Sequence, residues 1–545
     1  MSVFISTSSL LLVLGLVPGI VSLDNGLSRT PAMAFNGYNA FACDGTEDQY
    51  RSMAKNLVDL GLFALGYDTL GIDCGWQAKN RTSDGKFAWD TTRFPSGIPA
   101  LSSYVHDLGL KFGLYSDAGY YACDFVGGSA HFIGSLGHEV DDANSFAEWG
   151  ADYLKYDNCY AVSATDFVDY NPSFSLQPHY TAMRDALNAT GRPIVYSVCE
   201  WGVQDPARWA APVGNSWRIS NDIGPPASWD NLFRIINQVV PITGFAGPGA
   251  WNDLDMLEVG NSGLTIDEQR THFVFWAAAK SPLLISTDLT KISSDALAIL
   301  KNKNILDLHG DSLGKSIGFG RRYTNDHDVW YGPLADGSTV AVVINLQNSS
   351  RSLTFSLPDV GFTSASAVDL WTGAHLGTLN TSYTKTVAAH GSLALRLSSG
   401  VAASAPSYTY YPASASNTIL SGGASTRVVN GTVTVVGFVG NGATLTFHNV
   451  TGGTTGGSKL VSVDYINADF TMSNTACSNC RNAYVSVNGG TAVQVQFPIS
   501  AQSWDIDYSG YVVELDGFVA GAANTVQFGN PSAWAPDFVR IGIAA

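Results

Sequence analysis

The chain has 545 residues, too many for one ordinary domain, so we expect two or three. Its formal net charge of −17 excludes the basic surface of a nucleic-acid-binding protein and disfavours acidic polymers as partners. With 45% hydrophobic and 14% charged residues the composition is that of a globular protein, and such a surface suits a neutral substrate.

Residues 1–22 predict a secretory signal peptide, because the apolar run 10–17 is too short to span a membrane and ends at Pro18-Gly19. No later apolar run reaches about 18 residues, so we expect no membrane partner for the mature chain. Secretion agrees with six Asn-x-Ser/Thr sequons, which predict glycosylation. The sequon asparagines are Asn80, Asn188, Asn348, Asn380, Asn430 and Asn449.

From residue 32 to about 286, short apolar runs alternate with stretches of helical periodicity. The pattern predicts strands at 32–37, 67–73, 111–117, 151–157, 193–199, 216–220, 242–245 and 282–285. Helices are predicted within 46–65, 139–149, 173–189, 228–239 and 266–279. Eight strand–helix units favour a (β/α)8 barrel over 23–302. A doubly wound open sheet is the alternative, although no Gly-x-Gly-x-x-Gly follows the first strand.

The fourth predicted strand ends in a carboxylate, Asp157, with Lys155 two residues earlier on the same side. A cation beside Asp157 would keep it ionised, as a nucleophile must be. The alternative interpretation is a strand-end aspartate that caps the next helix.

Other predicted strands also end in carboxylates, aromatic or basic residues. These strand-end residues are Asp73, Tyr115, Asp117, Lys155, Asp157, Glu200, Trp201, Arg218 and Asp222. In a barrel of parallel strands the carboxyl ends meet at one mouth, where active sites lie. Each residue alone could be an ordinary cap or ion pair, but the set predicts one active site.

After about residue 293 the helical pattern fades, and short alternating strands predict an antiparallel β domain over 303–397. Residues 398–407 are small and polar with one proline, which predicts a linker. Residues 408–545 predict an appended β-sandwich, and by resemblance alone this region looks like a carbohydrate-binding module. Within it, Trp504 and Trp534 are candidates for stacking on a sugar ring, but either could equally belong to the core.

Two carboxylates on neighbouring strand ends are what glycoside hydrolysis requires, one as nucleophile and one as acid/base. Asp157 beside Lys155 suits the nucleophile. Asp222 suits the acid/base, because a neighbouring anion raises the pKa of a carboxyl group. Arg218 would orient the substrate or moderate that shift.

The sequence resembles the family 27 glycoside hydrolases, which are secreted α-galactosidases. The resemblance covers about residues 23–400. It is carried by Leu23-Asp-Asn-Gly-Leu-Ser-Arg-Thr-Pro-Ala-Met33, Tyr153-Leu-Lys-Tyr-Asp-Asn-Cys159, Cys199-Glu-Trp201, Trp217-Arg-Ile-Ser-Asn-Asp222 and Ala246-Gly-Pro-Gly-Ala-Trp-Asn-Asp-Leu-Asp-Met-Leu257. It implies a barrel followed by an antiparallel β domain, double displacement with retention, and neither metal nor cofactor.

By motif match, the resemblance places Asp157 at the family's nucleophile and Asp222 at its acid/base. The positions that match sugar-contacting residues are Asp73, Tyr115, Lys155, Glu200 and Arg218. Tyr38 stands where the family usually has a tryptophan under the sugar, and Trp201 is a further expected substrate contact. Glu200 argues against N-acetylgalactosamine, because members that bind an acetamide have a small residue there.

The resemblance also guides the disulfide predictions. It implies a Cys123–Cys159 disulfide near the site. The usual Asp-Asp-Cys-Trp is here Asp73-Cys-Gly-Trp76, so one carboxylate of the pair that holds the sugar is missing. We expect Cys43 to pair with Cys74, so that a disulfide occupies the position of the missing carboxylate. Gly214 replaces the usual partner of Cys199, which leaves Cys199 as a free thiol.

Cys477-Ser-Asn-Cys480 lies far from the other cysteines. It has the spacing of a zinc half-site or a redox motif. A tight surface disulfide is favoured, because no second cysteine pair or histidine cluster lies near it in the sequence.

Three functions remain open at this stage. The first is a retaining α-galactosidase acting on neutral galactosides, including plant cell-wall galactomannan. The second is a β-L-arabinopyranosidase with the same carboxylates, because the missing carboxylate relaxes recognition of the C6 group. The third is a carbohydrate-binding protein without catalysis, which retention of both Asp157 and Asp222 disfavours.

Overall fold

A computed structural model describes residues 23, 25–123, 132–472 and 479–545, so the predicted signal peptide lies outside the described residues. Its first sheet has eight parallel strands in the order β7-β6-β5-β4-β3-β2-β1-β8. A parallel bridge between Leu257 and Ile285 joins the two ends, which confirms the (β/α)8 barrel. The strands are β1 Met33–Asn36, β2 Thr69–Gly71, β3 Lys111–Asp117, β4 Tyr153–Asp157, β5 Val195–Val198, β6 Ser216–Arg218, β7 Trp251–Asp253 and β8 Leu283–Ile285.

Helices surround this sheet and bury their apolar faces against it. In α6, for example, Ser228 caps the amino end by accepting the N–H of Asn231, and Leu232, Ile235 and Ile236 are fully buried. The helices are α1 Tyr38–Phe41, α2 Glu47–Asp59, α3 Ile98–Asp107, α4 Glu139–Glu148, α5 Gln177–Ala189, α6 Trp229–Val239, α7 Ile266–Ala278, α8 Ser294–Leu300 and α9 Lys303–His309. Short 3-10 turns lie at Ala42–Asp44, Phe63–Leu65, Pro206–Arg208, Thr243–Phe245 and Leu357–Val360.

Two sequence predictions in this region are wrong. The strand predicted at 242–245 is a 3-10 turn, Thr243–Phe245, and the seventh strand is β7. Because β7 has three residues and two of them are polar, it leaves no apolar run in the sequence. The helical pattern also continues past residue 293 into α8 and α9, two short helices with side-chain caps at Ser293 and Asn302.

The second sheet is antiparallel, in the order β12-β15-β14-β13-β16-β11-β10-β9, as predicted. Its strands are β9 Gly318–Tyr323, β10 His327–Pro333, β11 Thr339–Asn345, β12 Arg351–Ser356, β13 Phe362–Asp369, β14 His375–Asn380, β15 Ser382–Val387 and β16 Ser392–Ala402. One face packs on the barrel through Trp330, Val342 and Ile344, which belong to the barrel's hydrophobic core.

The linker predicted at 398–407 is wrong for its first five residues, because β16 continues through them. Val401 pairs with Ser364 and Ser398 pairs with Ser366 of β13. Gly400 makes room for the ring of Phe362, which a side chain at this position would meet. Small polar residues, which are typical of linkers, here extend a strand.

The remaining strands form two packed sheets, in the orders β19-β20-β27-β22-β25 and β18-β21-β26-β23-β24, with β17 on β27. This appended sandwich confirms the predicted β-sandwich, whereas the exact division of the chain into domains stays a prediction. Its strands are β17 Tyr408–Pro412, β18 Thr418–Ser421, β19 Ser425–Val429, β20 Val433–Gly437, β21 Thr444–Val450, β22 Gly457–Ile466, β23 Arg481–Val487, β24 Val493–Phe497, β25 Tyr508–Phe518, β26 Asn524–Gly529 and β27 Asp537–Ala544. Within the described residues, every helix is too short or too polar to cross a bilayer.

Candidate active site

A pocket of about 260 Å³ opens at the carboxyl ends of the barrel strands. This volume lies just below the usual range for drug-sized ligands, which fits one sugar ring. Its walls combine carboxylates, one amine and several aromatic rings. The lining residues are Tyr38, Asp73, Cys123, Lys155, Asp157, Cys159, Phe167, Val168, Tyr170, Trp201, Asn221, Asp222 and Met256.

Asp157 is the last residue of β4, and its side chain is buried beneath the pocket. The following helix, α5, has Leu176 as its N-cap, which rules out the helix-cap interpretation of Asp157. Burial raises the pKa of Asp157 to about 6 against the attraction of Lys155, while the negative charges of Asp222 and Asp73 raise it further. Lys155 Nζ lies 3.7 Å from Asp157 Oδ2, so the carboxylate has a cation beside it when ionised.

Asp222 follows β6 and differs from Asp157 in its exposure: its side chain is 49% exposed. Arg218 Nη2 donates to Asp222 Oδ1 at 2.7 Å and lies 3.0 Å from Asp255 Oδ2. One guanidinium therefore holds two carboxylates, and only Asp222 reaches the pocket. A buried carboxylate and a half-exposed one on the same pocket are suited to different roles in one reaction.

Asp73 and Lys155 form the polar floor beside Asp157. Lys155 Nζ donates to Asp73 Oδ2 at 2.9 Å, and Asn36 Nδ2 donates to the same oxygen at 2.8 Å. The ring of Tyr38 lies 5.7 Å from Lys155 Nζ, and burial raises the pKa of its hydroxyl to about 12. The phenol therefore stays protonated and able to donate a hydrogen bond.

Three predicted substrate contacts lie behind the pocket wall instead of on it. Tyr115 is buried, and its hydroxyl donates to Asp117 at 3.4 Å and accepts the N–H of Cys123. Glu200 is fully buried and accepts the N–H of Gln204 at 2.6 Å, so it holds the loop after β5. Arg218 acts on the pocket through Asp222. Their strand-end positions are as predicted. Tyr115 and Arg218 hold the lining residues Cys123 and Asp222, whereas Glu200 holds the loop that contains Gln204.

Both disulfides predicted near the site are present, Cys43–Cys74 and Cys123–Cys159, and Cys199 is a buried free thiol. The sulfur atoms of Cys123 and Cys159 lie close to Asp117, a grouping that could hold a metal only as free thiolates. Their disulfide removes those ligands. The predicted Cys477–Cys480 bond falls on Cys477, which lies outside the described residues.

Several site residues were missed by sequence reasoning. Tyr170, Asn221 and Met256 line the pocket, and Asp255 is the second carboxylate on Arg218. Asp255 and Met256 lie in a quoted family motif, but the wrong placement of the seventh strand hid that they follow β7. Tyr170 has no such signal, because it lies in a loop that reaches the mouth only through tertiary contacts.

The six sequon asparagines Asn80, Asn188, Asn348, Asn380, Asn430 and Asn449 all lie among the exposed residues of the chain. Each is therefore accessible to a glycosylating enzyme. The sequons and the two disulfides fit an oxidising compartment.

Comparisons with known proteins agree with this architecture. The family described as "Alpha galactosidase A" matches residues 31–311, and the one described as "Alpha galactosidase C-terminal beta sandwich domain" matches residues 324–397, within the second sheet. "Probable alpha-galactosidase D" of Aspergillus fumigatus is 48% identical over 400 residues, which cover 72% of this chain and 61% of that protein. Its counterpart in Aspergillus niger is 42% identical over 493 residues, 88% of this chain and 70% of that protein.

Among solved structures, α-galactosidase I from Mortierella vinacea superposes with a TM-score of 0.64 at 35% identity. The match covers 70% of this chain and 100% of that one. The chain spans 61% of the length of the Aspergillus fumigatus relative.

Proposed function

The chain belongs to the family 27 glycoside hydrolases, the α-galactosidase family, and from this we propose that it is a retaining α-galactosidase. It removes terminal α-D-galactosyl residues from oligosaccharides and galactomannan. The observation that carries the proposal is that Asp157 and Asp222 line one sugar-sized pocket at the mouth of the barrel. The formal net charge of −17 is consistent with an uncharged substrate.

In the first step, a carboxylate oxygen of Asp157 attacks the anomeric carbon while Asp222 donates its proton to the glycosidic oxygen. The bond from the anomeric carbon to that oxygen breaks, the leaving group departs as an alcohol, and a galactosyl ester forms on Asp157. In the second step, Asp222 takes a proton from water, whose oxygen attacks the same carbon and releases Asp157. Two inversions give net retention.

The surrounding residues position these two groups. Arg218 holds Asp222 at the pocket, and Asp255 in turn holds Arg218. Asp255 is itself fixed, because its two oxygens accept the N–H groups of Ile223 and Met256. The carboxylate of Asp73, oriented by Lys155 and Asn36, is placed to accept hydrogen bonds from sugar hydroxyls.

The β-L-arabinopyranosidase alternative differs only in the group at C6. The Cys43–Cys74 disulfide adjoins Asp73, where the resemblance places a second carboxylate, so recognition of the C6 hydroxyl is weaker than with two carboxylates. Asp73 itself still offers an acceptor.

We therefore expect kcat/KM for nitrophenyl α-D-galactopyranoside to exceed that for nitrophenyl β-L-arabinopyranoside by about tenfold or more. The arabinoside lacks the C6 hydroxyl, so the group that would accept its hydrogen bond stays unpaired. Side-by-side initial rates on the two glycosides measure this. A preference for the arabinoside would overturn the substrate assignment, and no hydrolysis of either would favour the non-catalytic alternative.

The pH dependence gives a separate prediction. Asp157 attacks only as the carboxylate, and its pKa is raised to about 6, so kcat/KM falls as the pH drops through that value. Lys155 lowers this pKa, so Lys155→Met moves the acid limb to higher pH as well as reducing activity. Initial rates at substrate concentrations well below KM, measured across pH, give the acid limb of the unaltered protein and of Lys155→Met. An acid limb near the ordinary value of 3.8 in the unaltered protein would contradict the assignment.

We also propose that the protein is secreted and glycosylated. Two disulfides and six exposed sequons support this localisation. To test both points, protein is collected from the medium of producing cells and treated with an enzyme that removes N-glycans. A decrease in its mass shows that it is both secreted and glycosylated.

A further inference from the structure

The appended sandwich packs directly on the loops that carry the active site. Gln502 Nε2 donates to the carbonyl oxygen of Gly202 at 2.7 Å, in the loop after β5. Asn221 Nδ2, in the loop after β6, donates to the carbonyl oxygen of Met472 at 3.2 Å. Sequence separations of 300 and 251 residues make these contacts purely tertiary.

Packing accompanies these hydrogen bonds. The side chain of Met472 lies against the apolar cluster of Cys159, Tyr160, Cys199 and Trp201, and Trp201 lines the pocket. Beside it, Phe470, Ile499 and Ala501 of the sandwich face Pro206, Ile219 and Ile242 of the barrel around a cavity of about 10 Å³. Trp201 has a φ of 55°, in the left-handed region, so its conformation depends on contacts from its surroundings.

The wall that the sandwich touches is the one nearest the acid/base. Asn221 immediately precedes Asp222, and both line the pocket. The ring of Trp201 lies 6.3 Å from that of Tyr170, which is half exposed at the mouth. Since Asp222 protonates the leaving oxygen, the group beyond the scissile bond lies along this wall.

The sandwich is also held at a second point, away from the pocket. Arg322 of β9 donates to Asn237 of α6 at 2.8 Å and to Asp328 of β10 at 2.6 Å, and contacts Cys480 of the sandwich at 3.3 Å. Arg322, buried and paired with Asp328, therefore connects helix α6 of the barrel, the second sheet and the sandwich at one place. The appended sandwich is therefore fixed relative to the active site rather than tethered.

We propose that Met472 and Gln502 are positioning residues that set specificity for the leaving group, by holding the wall formed by Trp201, Tyr170 and Asn221. The inference rests on the proposed function. Both family matches end by residue 397, so the two residues that hold this wall lie in a region beyond them. The favoured leaving groups are uncharged saccharides long enough to reach the wall, because its faces are aromatic and amide.

The sandwich also carries a groove that would support a different role. It measures about 420 Å³ and is lined by Arg427, Phe438, Arg481, Trp504, Trp534 and Asp537. Its aromatic rings suit a polysaccharide chain, and Arg427 is neutralised by Asp537 at 2.6 Å. Tethering through this groove would raise activity on a polymer without affecting a short substrate, so the two roles are separable.

The experiment compares Met472→Ala, Gln502→Ala and their double variant with the unaltered full-length protein. Substrates are nitrophenyl α-galactoside, a trisaccharide with a terminal α-1,6-galactosyl group, and galactomannan. We expect KM for the trisaccharide to rise about threefold in each single variant and about tenfold in the double variant, with kcat changed less than about twofold. The inhibition constant of free galactose is expected to change less than about twofold, because its hydroxyls bind at Asp73 and Lys155, which none of these variants alters.

Two control variants lie in the same sandwich. Gln527→Ala removes an amide of β26 that donates to Thr446 of β21 at 3.0 Å, a contact between two strands of the sandwich itself, and leaves all constants unchanged. Trp534→Ala removes the more exposed of the two tryptophan rings in the groove. It leaves KM for the trisaccharide unchanged, because the groove acts only on a polymer. Equal KM for the trisaccharide in all variants, or a parallel change in the galactose inhibition constant, overturns the proposal. Failure to hydrolyse nitrophenyl α-galactoside in the unaltered protein would instead overturn the proposed function.

Discussion

Replacing Asp157 by alanine is expected to reduce kcat for nitrophenyl α-galactoside by about 10⁴-fold or more, on the scale seen when a hydrolase loses its nucleophile. The reason is that Asp157 alone combines the end of β4, burial below the pocket and a cation at 3.7 Å. Without it, no group in the lining set is placed to form the galactosyl ester. Steady-state rates with the purified variant measure the loss.

Sodium azide then reports the stereochemistry. In Asp157→Ala the anion enters the space left by the carboxylate and attacks the anomeric carbon directly, so one inversion gives β-galactosyl azide. Proton NMR of the product distinguishes the two anomers. Asp516→Ala, an exposed aspartate on β25, is the matched control and retains full activity. Unchanged activity in Asp157→Ala, or an α-azide product from it, contradicts the nucleophile assignment.

Replacing Asp222 by alanine is expected to have an effect that depends on the leaving group. Nitrophenolate departs without a proton, so kcat/KM for nitrophenyl α-galactoside falls less than about tenfold, whereas kcat/KM for the α-1,6-galactosyl trisaccharide falls about 10³-fold. The structural basis is that Asp222 is the half-exposed carboxylate of the pocket, held on Arg218 at 2.7 Å. Parallel measurements on the two substrates give the ratio.

Azide acts differently in this second variant. Asp157 still forms the ester, and azide then attacks it from the opposite face, so the product is α-galactosyl azide. The two alanine variants therefore yield opposite anomers if the roles are as assigned. Asp222→Asn serves as the isosteric comparison, because it keeps a hydrogen-bonding oxygen near Arg218 but has no acid proton. Equal losses on both substrates would remove Asp222 from the acid/base role.

Much of the barrel was predictable because burial patterns are local. The apolar run before Asp157 predicts β4 with its carboxylate at the end, and the predicted strand at 111–117 has the bounds of β3. Strand β7 was not predictable in this way, because its three residues form too short a pattern. The end of β16 was not predictable either, because small polar residues that are typical of linkers there continue a paired strand.

The positions of the two carboxylates and both disulfides near the site were expected from the resemblance to family 27, and the structure contains both disulfides and brings both carboxylates to one pocket. Side-chain direction did not follow. Glu200 and Tyr115 stand at the predicted strand ends, yet each hydrogen-bonds its neighbours behind the wall, because a strand end fixes the position of the backbone rather than the contacts of the side chain.

The sequence by itself determined the parallel barrel, the two carboxylates at its mouth and the existence of an appended sandwich. Tertiary structure alone decided that Arg218 links Asp222 to Asp255, and that Gln502 reaches Gly202 across 300 residues of chain. Periodicity and motifs record what a residue does within its own element. Contacts between distant segments depend on how completed elements pack, and that information is spread over the whole interface instead of residing in any one stretch.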